Sequence, residues 1–165
     1  MTNHPFHCRR QLLLGIVLLP VAGFARTAAP IVVTPPALPE VQVWKEPTCG
    51  CCKDWVAHLE ANGFKVVVNM GGTDAARARL GIPQSMASCH TALVGGYAIE
   101  GHVPAREIKR LLREKPGAIG LAAPGMQIGA PGMDTAGYGG KKNPYDVILV
   151  AKGGGGTVYQ SYKGS

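Results

Sequence analysis

Pro47-Thr48-Cys49-Gly50-Cys51-Cys52-Lys53-Asp54-Trp55 is the stretch on which the fold turns. Ahead of it, Val41, Val43 and the neighbouring Trp44 predict a short strand. Behind it, the pattern predicts a helix running to about Asn62 and stopped by Gly63. Three thiols therefore gather where a strand hands over to a helix N-terminus. The helix leaves unpaired N–H groups there, and its macrodipole favours negative charge, so thiolates form more readily.

Working toward the C-terminus, Phe64 to Asn69 is an unbroken β-branched run, which predicts a strand buried on both faces in the middle of a sheet. A second helix is expected from Asp74 to Leu80, capped by Thr73 or Asp74 and ended by Gly81-Ile82-Pro83. Thr91 to Val94 and Tyr97 to Glu100 flank Gly95-Gly96, a two-residue hairpin turn. A third helix starts at Pro104, lines one face with Ile108, Leu111 and Leu112, and ends before Pro116. The order strand, helix, strand, helix, hairpin, helix predicts an α/β fold with a thioredoxin-like core, a central mixed sheet flanked by helices.

The chain has 165 residues, enough for one domain with a real core. Its 23 glycines and 13 prolines exceed what a compact fold needs. Residues 116 to 144 hold many of them and are expected to form a Gly/Pro-rich loop. Within it Ala123-Pro124-Gly125-Met126 recurs as Ala130-Pro131-Gly132-Met133. Tyr145 to Ala151 and Thr157 to Tyr162, joined across Gly153 to Gly156, predict a closing hairpin. The single domain is thus expected to span residues 41 to 163.

The N-terminal end reads as an address. Arg9 and Arg10 precede an apolar run from Leu12 to Phe24, and Gly23-Phe24-Ala25 offers small residues for cleavage, so residues 1 to 25 are expected to be a signal peptide. The run is too short for a membrane span and contains Pro20, which leaves no stable span after cleavage. Arg9-Arg10-Gln11-Leu12-Leu13 also fits a loose twin-arginine pattern. Cys8, His4 and His7 leave with this leader, and four of the five cysteines remain. Residues 26 to 40, with repeated prolines and no periodicity, read as an extended tether. The net charge of +7 includes two from the leader arginines, and the remainder is too scattered for a nucleic-acid partner. Arg106, Lys109, Arg110 and Arg113, interleaved with Glu107 and Glu114, read as a solvated helix face.

Cys49 and Cys52 have the spacing of a redox pair, which makes a thiol–disulfide oxidoreductase, with Cys49 as nucleophile and Cys52 as resolver, the alternative function. Cys51 does not fit that role, because a third thiol offers competing disulfides. Cys89 comes just before the third strand, where a thioredoxin-like fold brings it beside the helix N-terminus. Four clustered sulfurs select soft ions, and Cu(I), which accepts two or three thiolates and tolerates bridging sulfur, suits them better than a single tetrahedral Zn. Two structural disulfides are the third reading, natural to an oxidising compartment. The metal reading employs all four of Cys49, Cys51, Cys52 and Cys89. Weaker metal candidates are His90, His102, Met126 and Met133. His102 also suits a cap or hydrogen bond, and the methionines and Met86 suit loop packing.

The run from Pro47 to Trp55, then Ala87-Ser88-Cys89-His90-Thr91, Glu100-Gly101-His102-Val103-Pro104 and the two Pro-Gly-Met units, resembles the exported CopG-type family. The similarity covers about residues 41 to 151. It implies a thioredoxin-like fold, a periplasmic location, copper binding through the Cys-x-Cys-Cys motif and the later cysteine, and a role in copper resistance. Copper as several Cu(I) ions, with a copper-transport protein as partner, is the corresponding expectation.

Overall fold

The computed structural model describes residues 1–2 and 37–165. The expected signal peptide, Cys8 and most of the tether lie outside the described residues.

Residues 37–165 fall within one compact unit. Strand β1 (Val41–Lys45) leads into helix α1 (Gly50–Ala61), then β2 (Val66–Met70), α2 (Thr73–Arg79), β3 (His90–Val94), β4 (Tyr97–Gly101), α3 (Ala105–Glu114), β5 (Ala118–Ala123), β6 (Tyr145–Ala151) and β7 (Gly156–Tyr162). The seven strands make one mixed sheet in the order β2-β1-β3-β4-β5-β6-β7, with β1·β2 and β4·β5 parallel and the other neighbours antiparallel. Helix α1 buries Cys52, Trp55, Val56 and Leu59, a one-sided stripe at helical spacing. Of these, Trp55, Val56 and Leu59 join Val41, Val43, Ile99, Ile108, Leu111 and Leu121 in the main core. Gly95 and Gly96 both take positive φ, 55° and 86°, as the β3–β4 turn requires.

Three sequence expectations give way. Among the described residues, strand β2 lies at the sheet edge, paired to β1 alone, and Val67 and Met70 are exposed. A β-branched run records strand propensity but not how many neighbours the strand acquires. Helix α2 starts behind Gly72 in the left-handed region, with no side-chain cap from Thr73 or Asp74. Residues 118–123, expected as loop, form β5, whose last four residues are buried. Alanine and glycine carry little strand signal, yet their small size lets β5 lie between β4 and β6.

The closing hairpin is held to α3 by two of the four basic residues expected to be solvated. The guanidinium of Arg110 stacks over Tyr159, and that of Arg106 over Tyr162. The Tyr159 and Tyr162 hydroxyls donate to Glu114 and Glu107 at 2.6 and 2.9 Å.

Candidate metal centre

Cys49 occupies the N-cap of α1, and Cys51 and Cys52 fall in its first turn, which holds no acidic residue to compete for the helix's positive end. Cys49 and Cys52 are joined as a disulfide, and Cys51 and Cys89 are free thiols. The Sγ of Cys51 lies 3.6 Å from that of Cys49 and 3.9 Å from that of Cys89. Cys52 sits underneath, its sulfur 3.6 Å from the Cys89 carbonyl oxygen. All four sulfurs lie within 4.8 Å of one another. The β3 edge of the loop thus reaches the α1 terminus, as the fold expectation required.

Two histidines adjoin this group. Cys89 Sγ is 3.1 Å from His102 Nε2 and 3.4 Å from His90 Nδ1, so Cys89 belongs to a second group of possible ligands with both rings. His102 Nδ1 lies 2.8 Å from the Pro131 carbonyl oxygen, so the hydrogen bond expected of it is present as well. Both rings are buried; the His90 ring packs 4.2 Å from that of Trp55, and its Nε2 has no hydrogen-bond partner among the described residues. Burial holds both imidazoles below their usual pKa, and each sits near the other. Neutral imidazole is the form that ligates metal. Burial also pushes the Cys89 thiol up to about 12, with Cys51 beside it adding to the rise. Loading with a cation would reverse that balance, because a bound metal deprotonates the thiol outright.

The two Pro-Gly-Met units flank the sulfurs. Gly125 N–H donates to the Ala87 carbonyl, and the Ser88 hydroxyl donates to the Gly125 carbonyl, beside Cys89. Gly132, at φ +83°, lies against α1, where a Cβ would stand 2.6 Å from the Cys51 carbonyl oxygen. Met126 is exposed and lines a cleft of about 680 Å³ with Cys49, Cys89, Glu46, Asp74 and Arg77. Met133 is buried, its sulfur accepting from the Tyr138 hydroxyl at 3.7 Å, and Met86 packs with the small core around Ile82 and Val150.

Sequence reasoning missed the groups that hold the Cys89 loop. Glu100 Oε1 accepts the Ser88 N–H at 2.7 Å and Arg77 Nε at 2.8 Å, and Glu100 Oε2 accepts the Thr91 hydroxyl at 2.6 Å. An acid in the otherwise apolar strand Tyr97-Ala98-Ile99-Glu100, and an arginine among the alanines of α2, were the available signals.

Comparison with known proteins bears on this geometry. A family described as "Protein of unknown function, DUF411" matches residues 86–133, the segment that carries Cys89 and both Pro-Gly-Met units. A solved structure described as "Copper resistance protein copG- Form 2" is 43% identical, with a TM-score of 0.70, and the match covers 76% of this chain and 98% of that one. This chain belongs to the CopG copper resistance protein family. The structure of "Form 1" aligns equally well, at 42% identity and a TM-score of 0.70 over the same shares of the two chains. No match is found among the curated proteins. The CopG likeness spans far more of the chain than the matched segment alone.

Proposed function

We propose that this protein is exported to the periplasm, holds Cu(I) as several ions on Cys49, Cys51, Cys52 and Cys89, and so contributes to copper resistance. The observation that carries the reading is the set of four sulfurs within 4.8 Å of one another at a helix N-terminus. Such a donor set is soft, compact and able to bridge ions, which suits Cu(I) more than a hard cation. The description of the solved relatives as copper resistance proteins supports copper as the metal. The order β2-β1-β3-β4, with α1 linking the parallel pair and α3 following the hairpin, supports a thioredoxin-like core. The basic and apolar leader supports export, and among the described residues no helix is long and apolar enough to cross a membrane. A copper-transport protein is the partner such a carrier would serve.

The Cys49–Cys52 bond favours a second reading, a thiol–disulfide or copper oxidoreductase. Opening it takes two electrons and two protons and gives two thiols. The four-sulfur site needs that reduced state, so the two readings share one set of atoms. Metal analysis of the reduced protein, loaded without oxygen, separates them. Several coppers retained per chain are expected; none retained, together with ordinary insulin-reductase activity, would overturn the copper reading.

A further inference from the structure

Arg77 and Glu100 form a buried ion pair, their side chains 4% and 0% exposed, with Arg77 Nε donating to Glu100 Oε1 at 2.8 Å. A buried pair seldom adds stability over apolar residues of the same volume, so its presence asks for another reason. Apart from Arg77 Nη1, which donates to Asp74 Oδ1 on the same helix, the remaining hydrogen bonds of the pair converge on one short segment. Glu100 Oε1 accepts the Ser88 N–H at 2.7 Å, while Arg77 Nη2 donates to the Ser88 carbonyl at 2.8 Å. Both main-chain groups of Ser88 are thus held by the two opposite charges of a single ion pair. Glu100 Oε2 also takes the Thr91 hydroxyl at 2.6 Å. The clamp therefore grips residues on both sides of Cys89 and His90, and it does so from α2 and β4, elements that hold none of the four sulfurs. It leaves the Cys89 sulfur free to face Cys51 and His102.

We propose that Arg77 and Glu100 are positioning residues for Cys89, fixing through Ser88 and Thr91 the place of the one sulfur that does not come from the α1 terminus. The proposal rests on the copper reading for its functional consequence, but its geometry can be tested without metal. Arg77→Lys keeps the charge and gives up the planar fork that serves Glu100 and Ser88 together. Glu100→Gln keeps the shape and gives up the charge.

The full chain and these two variants are compared in two ways. The first is the rate of iodoacetamide alkylation, followed residue by residue by mass spectrometry, which separates Cys89 from Cys51 and from Cys8. Both variants should change the Cys89 rate several-fold and leave that of Cys51 alone. The second is Cu(I) affinity of the reduced protein, measured by competition with a chromophoric chelator, with and without Cys89→Ser. Each variant should weaken copper binding by about tenfold, as loss of a ligand-orienting partner does elsewhere. In the Cys89→Ser background the same substitutions should have little further effect. An unchanged Cys89 rate, or an affinity loss of equal size in both backgrounds, would show that the pair only stabilises the fold. Wild-type protein that binds no copper would sink the copper reading while the alkylation rates still decide the clamp.

Discussion

Cys51 has two sulfur neighbours, Cys49 at 3.6 Å and Cys89 at 3.9 Å, and is bonded to neither. It is therefore the residue at which metal binding and disulfide chemistry make opposite demands. Cys51→Ser removes a soft donor and leaves Cys49 and Cys52 able to form their disulfide, so Cu(I) affinity of the reduced protein should fall by more than about tenfold. Disulfide exchange should survive or improve, since a competing thiol is gone. Cys89→Ser should cost copper in the same way. Copper per chain and insulin-reductase rate, measured side by side on the wild type and both variants, check this. Unchanged copper in both would mean that the cluster is a redox or structural group. The cysteines were legible because thiol spacing is written directly in the chain. His90 and His102 were not ranked with them, because a lone histidine beside a strand looks the same whether it faces solvent or sulfur.

Elements meet the site through a few close contacts. The second Pro-Gly-Met unit lies on α1 at Gly132, where an added Cβ would stand 2.6 Å from the Cys51 carbonyl oxygen and 2.7 Å from the Trp55 nitrogen. Gly132→Ala combines that clash with a positive φ, and should cost about 1–3 kcal/mol of stability, read by chemical denaturation. An unaffected midpoint would mean that the loop can lift off α1 without loss. Helices α1 and α3 meet where Ala105 N–H donates to His58 Nε2 at 3.1 Å, a bond only a neutral imidazole can accept. Burial holds His58 below its ordinary 6.5, against a smaller upward pull from Asp134. The unfolded chain therefore takes up a proton before the folded one does. The His58 contribution is complete above 6.5 and is lost as the pH falls from there toward the folded value. His58→Gln, which can still accept but does not titrate, should show a smaller drop in melting temperature between about pH 7 and about pH 5 than the wild type. An equal drop would show that His58 plays no part in the acid response.

For the whole molecule, the seven-stranded sheet is a scaffold on which one helix terminus and one loop are brought together, so metal binding and folding are linked. Cu(I) bound only by the folded, reduced protein should raise its stability by about 2.7 kcal/mol when free metal is a hundred times the dissociation constant. Thermal melts without oxygen, with and without Cu(I), measure this, and Cys89→Ser should lose most of the gain. A melting temperature indifferent to copper would mean that the cysteines do not form a site of the folded state. The sequence by itself determined the helices, the Gly95-Gly96 hairpin, the closing hairpin and the cysteine motif at a helix start. Each of these is a local matter of periodicity, turn residues and spacing. Only the tertiary structure decided that β2 is an edge strand, that the alanine-rich residues 118–123 are an inner strand, and that Arg77 and Glu100 grip the segment before Cys89. Those outcomes depend on which distant residues become neighbours. A strand's place in the order, the worth of small side chains between two strands, and the pairing of two buried charges are fixed by contacts across the chain, which local pattern does not encode.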